Sequence, residues 1–224
     1  ASKTAKGRKR LNYILSIANI DGFYKRARID LPLLLNESPD DFIVTSACVA
    51  GWLYDDADEI WLKIAKHFGN NFFLEVQNHN TDKQKALNKH ILDLAREHNL
   101  QIIAGLDTHY VNATGSKERD VLLESKGITY PDEEGWYMDF PMADVIIERF
   151  KEQGVLNEEE IYRSIMNTNV FVNGCEEIIL DRSFKIPNIY RDKTYDERVK
   201  IYQDLLNEGY KQEKIHSLDR VEGI

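Results

Sequence analysis

Gln101-Ile102-Ile103-Ala104-Gly105-Leu106-Asp107-Thr108-His109-Tyr110 is an apolar run that stops at a carboxylate and an imidazole two residues apart. Its length, and the polar turn Glu97-His98-Asn99 before it, predict a buried strand rather than a helix. Side chains alternate along an extended chain, so Asp107 and His109 are expected to point the same way at its end. By itself the pair has two readings: metal-type ligands delivered together, or a capping carboxylate beside a core histidine.

Towards the N-terminus the pattern is regular. Asp41-Phe42-Ile43-Val44-Thr45-Ser46 is a β-branched run ending in Ala47-Cys48. The acidic stretch Asp55 to Glu59 then opens a helix with Ile60, Trp61, Ile64, Ala65 and Phe68 on one face, stopped by Gly69-Asn70. Phe72 to Gln77 is a second strand, and Thr81 caps a helix carrying Ala86, Leu87, Ile91, Leu94 and Ala95. Strand, helix, strand, helix, strand at this spacing predicts an α/β fold of right-handed parallel units. Such folds place their sites at the carboxyl ends of the strands. Those ends are Cys48, then Gln77-Asn78-His79, then Asp107-Thr108-His109, so a thiol, a histidine and an Asp-x-His pair are expected on one rim. That convergence favours the ligand reading. Carboxylate, imidazole and thiolate together suit zinc, manganese or iron, with magnesium a further candidate, and a bound ion would activate water for phosphoester hydrolysis.

The flanks are mostly helical. Leu11, Ile14, Leu15 and Ala18 predict a short amphipathic helix over residues 6–19, stopped at Asp21-Gly22. Gly22-Phe23-Tyr24-Lys25-Arg26-Ala27-Arg28 interleaves aromatic and basic residues as a loop, and Asp30-Leu31-Pro32 starts another brief helix. Beyond Tyr110, Asp120, Leu122 and Leu123 fall in a helix, Pro131 to Trp136 in a polar loop and Tyr137 to Phe140 in an extended piece. Pro141 is expected to open a helix closing at Gly154, and Asn157 with Glu160 to start one running towards Cys175 as buried filler. Ile186-Pro187-Asn188 reads as a linker to a final helix through Val199, Tyr202, Leu205 and Leu206, and residues 212–224 as a loose polar tail.

Composition bounds the class. At 224 residues, 42% hydrophobic and 30% charged, the chain can bury a sizeable core. It has no apolar run long enough to span a bilayer and no leader pattern, so no membrane association and a cytoplasmic location are expected. The two cysteines make no disulfide framework. A net charge of −9 argues against a surface that grips nucleic acid everywhere. The first 28 residues, however, hold eight cations against Asp21 alone, a local +7 that could meet phosphates.

Four motifs together carry a resemblance: Gly22 to Asp30, Thr45-Ser46-Ala47-Cys48-Val49-Ala50-Gly51, Phe73-Leu74-Glu75-Val76-Gln77-Asn78-His79, and Leu106-Asp107-Thr108-His109-Tyr110. They resemble the polymerase and histidinol phosphatase (PHP) domain of bacterial C-family replicative DNA polymerase subunits over roughly residues 5–190. The first departs from the family's loop at Arg26 and Ala27, where Lys and Pro are expected. The resemblance implies part of a distorted (β/α)7 barrel, residues 1–185, with a linker and helix over 186–224 leading towards a polymerase core. It also implies that Cys48, Asp107 and His109 are metal ligands, with Asp107 and His109 catalytic. Glu75, Asn78 and His79 would be rim or supporting residues, and Tyr24, Lys25, Arg26 and Arg28 nucleic-acid contacts. The implied chemistry is metal-dependent 3′–5′ exonuclease or phosphoesterase action; the implied partners are DNA, the rest of the subunit and a proofreading subunit. The family's opening His-x-His motif and the ligands after it are expected N-terminal to Ala1, and no Pro-Asp-x-Asp-x-Asp polymerase motif occurs, so the chain alone is expected to carry half a site. Two alternatives stand beside this: a non-catalytic PHP scaffold, and a free-standing PHP phosphatase, which the basic loop and the helices after Tyr110 disfavour.

Overall fold

Parallel strand–helix units do form around the stretch Gln101–Gly105. In the computed structural model, which describes residues 1–49, 57–112, 114–130, 135–177, 179 and 193–209, β1 (Val44–Thr45), β2 (Phe72–Gln77) and β3 (Gln101–Gly105) make a parallel sheet in the order β1-β2-β3. Phe73 pairs with Gln101 and Gln77 with Gly105. Helices numbered in chain order are α1 (Ala5–Ile20), α2 (Leu31–Leu35), α3 (Asp58–Phe68), α4 (Asp82–His98), α5 (Gly115–Ser125), α6 (Ala143–Gln153), α7 (Glu158–Asn173) and α8 (Tyr195–Asn207). The architecture is mixed α/β, and the described sheet has three strands against the seven of the expected barrel. The chain divides into two units, Ala1–Ile178 and Ile179–Ile224, of which the second contains α8.

Local chemistry explains where the elements start and stop. The Thr81 hydroxyl accepts the Gln84 N–H at the head of α4, and Asn99 closes that helix in the left-handed region, φ 52°. Asn157 and Glu160 form a reciprocal capping box at the head of α7. Gly154 ends α6 with φ 71°.

Alternation along β2 sorts the core into two faces. Phe72, Leu74 and Val76 pack with Ile102 against Trp61, Ile64 and Phe68 of α3 and against Leu87, Ile91 and Leu92 of α4. Each such side chain contributes about 1.5–3 kcal/mol of burial, which makes this the dominant stabilising layer. The opposite face carries Ile43, Phe73 and Ile103 beneath Phe171 and Cys175. Helix α7 lies along β3, and its Asn167 side chain donates to the Ile102 carbonyl at 2.8 Å, covering a strand edge that would otherwise invite pairing.

Three expectations need correction. The first strand is two residues long rather than six, because Asp41 to Ile43 pair instead with the first residues of the chain. Ser2 bridges Phe42 in antiparallel fashion, and Ile43 N–H donates to the Ala1 carbonyl at 2.9 Å. Helix α6 starts at Ala143, not Pro141, with Met142 in extended geometry as its cap. Cys175 is half-buried rather than buried, its thiol donating to the Phe171 carbonyl at 3.4 Å. The linker at residues 186–188, the tail from residue 212, residues 55 and 56 and part of the loop at 131–136 lie outside the described residues.

Candidate functional site

The sheet face beneath α7 changes character towards the carboxyl ends of its strands. After apolar Ile43, Phe73 and Ile103 come Thr45, Glu75, Gln77 and Gly105. The Glu75 carboxylate accepts from the Thr45 hydroxyl at 3.0 Å and from the Gln77 amide at 2.9 Å, tying β1 to β2. It lies across Gly105, where any β-carbon would strike its oxygen. Glycine at 105 thus leaves room for the Glu75 side chain, which a β-carbon would push aside, and Glu75 is a half-buried bracket under the rim.

Beyond that bracket the chain leaves β3 and delivers Asp107 and His109 together. The His109 Nδ1 lies 2.9 Å from the Asp107 carbonyl oxygen and 3.8 Å from its carboxylate. A carbonyl can only accept, so Nδ1 carries a proton, and in the neutral ring Nε2 keeps its lone pair. That is the tautomer that ligates a metal through Nε2. Both side chains are about two-fifths exposed. In donor chemistry Asp107 and His109 thus fit a divalent ion.

Cys48 does not complete that set. Among the described residues no three of His, Cys, Asp and Glu stand close enough to hold one ion. Cys48 follows Ala47, whose φ of 60° is left-handed and uncommon for a side-chain-bearing residue, a turn that decides where the thiol is carried.

His79 has the opposite environment to His109. It is fully buried, its ring 4.5 Å from that of Trp136, and its Nδ1 accepts the Tyr137 N–H at 3.0 Å. Burial pushes its pKa down to about 4; Asp107 opposes the shift, and Arg149 and His109 reinforce it. Asn78 beside it is also buried, and neither polar atom of its side chain has a partner among the described residues. Gln77 is fixed by α4 and α6: Asn88 accepts its N–H and donates to its carbonyl, and Gln153 donates to the carbonyls of Gln77 and His79.

Residues 135–140 form a strip that joins the two strand ends. Asn80 N–H donates to Gly135, Tyr137 N–H to His79, His109 N–H to Met138 at 2.8 Å and the Thr108 hydroxyl to Asp139. Arg149 grips Asp139 with two hydrogen bonds of 2.7 and 2.8 Å and stacks over Tyr137 at 4.2 Å. This pairing holds the Asp139 carboxyl below its ordinary pKa. The sequence pointed to the extended piece at Tyr137 to Phe140 but not to Arg149, Gln153 or Trp136, since no spacing links them to the strand ends. A cleft of about 530 Å³ lies beside the pair, lined by His109, Tyr110, Val111, Thr114, Arg119 and Leu122 among others.

The basic loop is a separate exposed feature. Tyr24 and Arg26 bridge across a turn in which Lys25 has φ 61°. The Tyr24 ring is 64% exposed and flanked by the Lys25 ammonium at 5.7 Å and the Arg28 guanidinium at 5.2 Å. A side chain at Gly22 would strike the Arg28 carbonyl, so glycine there lets the loop close. A solvent-facing ring between two cations can stack a base while meeting its phosphates.

The chain is similar to DNA polymerase III alpha subunits. That of Borreliella burgdorferi is 34% identical over 130 residues, which is 54% of this chain and 11% of that protein. That of Aquifex aeolicus is 31% identical over 130 residues. The Thermus aquaticus alpha subunit is 32% identical over 145 residues, 60% of this chain and 12% of its own length. The chain therefore spans about a ninth of the length of the alpha subunits it matches. No family model matches it. Among the described residues no helix is long and apolar enough to cross a membrane.

Proposed function

We propose that this chain is a segment of a bacterial-type replicative DNA polymerase alpha subunit and contributes part of a PHP metal site for phosphoester hydrolysis at a DNA 3′ end. In this reading the three parallel strands are one arc of a (β/α)7 barrel, with Glu75 and Gln77 on its inner face. Asp107 and the Nε2 of His109 would bind an ion, Cys48 would join them when the remaining ligands assemble, and the ion would supply an activated water. The cleft beside His109 has the volume of a typical ligand site and would receive the terminal nucleotide. Tyr24, Lys25, Arg26 and Arg28 would hold the strand. The observation that carries the proposal is the His109 Nδ1–H bond to the Asp107 carbonyl, which leaves Nε2 of a ring that stands beside a carboxylate free to ligate. Similarity to the alpha subunits supports the polymerase context.

Calorimetric titration of the chain with manganese tests it. Weak binding that is lost in Asp107→Ala and His109→Ala is expected; tight binding of two or three ions would overturn the partial-site reading, and no binding would overturn the metal role. The second reading is a PHP scaffold that braces the polymerase or docks a proofreading partner. Under that reading Asp107→Ala in the full-length subunit leaves nuclease activity on single-stranded 3′ ends unchanged.

A further inference from the structure

Helix α1 and the turn that follows α2 enclose a cleft of about 540 Å³. Lys6, Lys9, Arg10 and Tyr13 line one wall, at positions i, i+3, i+4 and i+7 of a single face of α1. Glu37 and Asp41 stand on the other wall. That wall is fixed from behind: His67 Nε2 donates to the Glu37 carbonyl at 2.8 Å, the Asn71 amide to the Pro39 carbonyl at 2.8 Å, and the Thr4 hydroxyl to the Asp41 carboxylate at 2.6 Å. A β-carbon at Gly7 would strike the Asp41 carbonyl, so glycine there brings α1 against the turn.

Within the cleft the cations are held differently. The Glu37 side chain is only 4% exposed, and both its oxygens accept the Nε–H of Arg10, at 2.8 and 2.9 Å. This aims the guanidinium and leaves its terminal amino groups without a hydrogen bond among the described residues. The same guanidinium lies over the half-exposed Tyr13 ring at 4.6 Å. Asp41 pairs with Lys6 at 2.9 Å, while Lys9 is exposed and makes no ion pair among the described residues. Three cations against two carboxylates leave the lining a net +1. A fixed guanidinium, a free ammonium and an open aromatic ring together match a nucleotide, whose phosphate takes the charges and whose base takes the ring. An acidic peptide would use the cations but not the ring. We propose that this cleft is a nucleotide subsite for single-stranded DNA, with the base on Tyr13 and the phosphate between Lys9 and the terminal amino groups of Arg10. The choice of DNA rests on the polymerase reading, but the cleft shares no residue with the metal pair or with the loop at Tyr24 to Arg28. That loop repeats the arrangement just past the end of α1, with the Arg28 guanidinium 5.2 Å from the Tyr24 ring.

Titration of the full chain with a fluorescent oligothymidylate, followed by anisotropy and by nitrogen-15 NMR, tests the subsite. Saturable shifts of the Lys9, Arg10 and Tyr13 resonances are expected. Tyr13→Ala is expected to weaken binding roughly 5- to 150-fold and Tyr13→Phe to leave it unchanged, because stacking needs the ring and not the hydroxyl. Lys9→Gln is expected to flatten the slope of log affinity against log salt by about 0.7. Both side chains are exposed, so these changes spare the fold, whereas loss of Arg10 would strand the buried Glu37 carboxylate. Thymidine monophosphate is expected to move the same resonances at lower affinity. No oligonucleotide binding, binding that moves no resonance on this face of α1, or a Tyr13→Ala variant that binds as tightly as the parent overturns the proposal. A monophosphate as tight as the oligonucleotide overturns the strand as its source, and a polyglutamate peptide that matches the oligonucleotide overturns the nucleotide. The titration contains no metal, so a chain that binds no manganese fails the metal reading and leaves this result standing.

Discussion

His79 makes acid sensitivity a property of one buried side chain. The unfolded chain takes up a proton there near pH 6.5 and the folded chain only near pH 4, so the unfolded state binds more protons between these values and stability rises with pH across that window. Asp107 works against the shift, and Arg149 and His109 with it. Urea unfolding is expected to show roughly 3 kcal/mol lost between pH 7 and pH 4, and His79→Gln to flatten that dependence. Asp139 adds a loss only at lower pH, because its paired carboxyl is depressed and gives up its stabilisation as pH falls through its folded value. Arg149→Met leaves Asp139 without its two charged hydrogen bonds and is expected to cost about 2 kcal/mol, measured as a shift in the urea midpoint.

At the scale of elements, the loop after β3 is only as rigid as the strip and helices that hold it. Asn88 on α4 binds both backbone groups of Gln77 and the Gln153 side chain of α6, and it is fully buried. Asn88→Ala removes these bonds together and is expected to cost roughly 3 kcal/mol, with hydrogen exchange accelerated at Gln77. By contrast, Asn157→Ala removes only the capping box of α7, an expected loss of about 1 kcal/mol by thermal melting. The caps at Thr81, Gly154 and Asn157 were all legible because capping chemistry is local in sequence. The length of β1 was not. Val44 and Thr45 pair with β2, while Phe42 pairs with Ser2, forty residues away, and β-propensity carries no information about which partner arrives.

Across the whole molecule, charge is segregated: a net −9 coexists with a basic N-terminal segment. If the loop holds single-stranded DNA through Lys25, Arg26 and Arg28, the logarithm of affinity should fall with the logarithm of salt at a slope of about −2. Fluorescence anisotropy with an oligonucleotide tests this, and replacing all three by Gln should flatten the slope; an unchanged slope removes the loop from the interface. The sequence by itself determined the strand–helix alternation, the caps and the delivery of Asp107 and His109 from one strand end, because periodicity, turn chemistry and alternation act over a few residues. Only the tertiary structure decided what those side chains can do. It brought Arg149 and residues 135–140 over the strand ends and gave His109 and His79 opposite tautomers. A tautomer is set by the group that faces each ring nitrogen. For His109 that group is its neighbour's carbonyl, and for His79 it is an amide 58 residues away in the chain, a distance over which sequence pattern is silent.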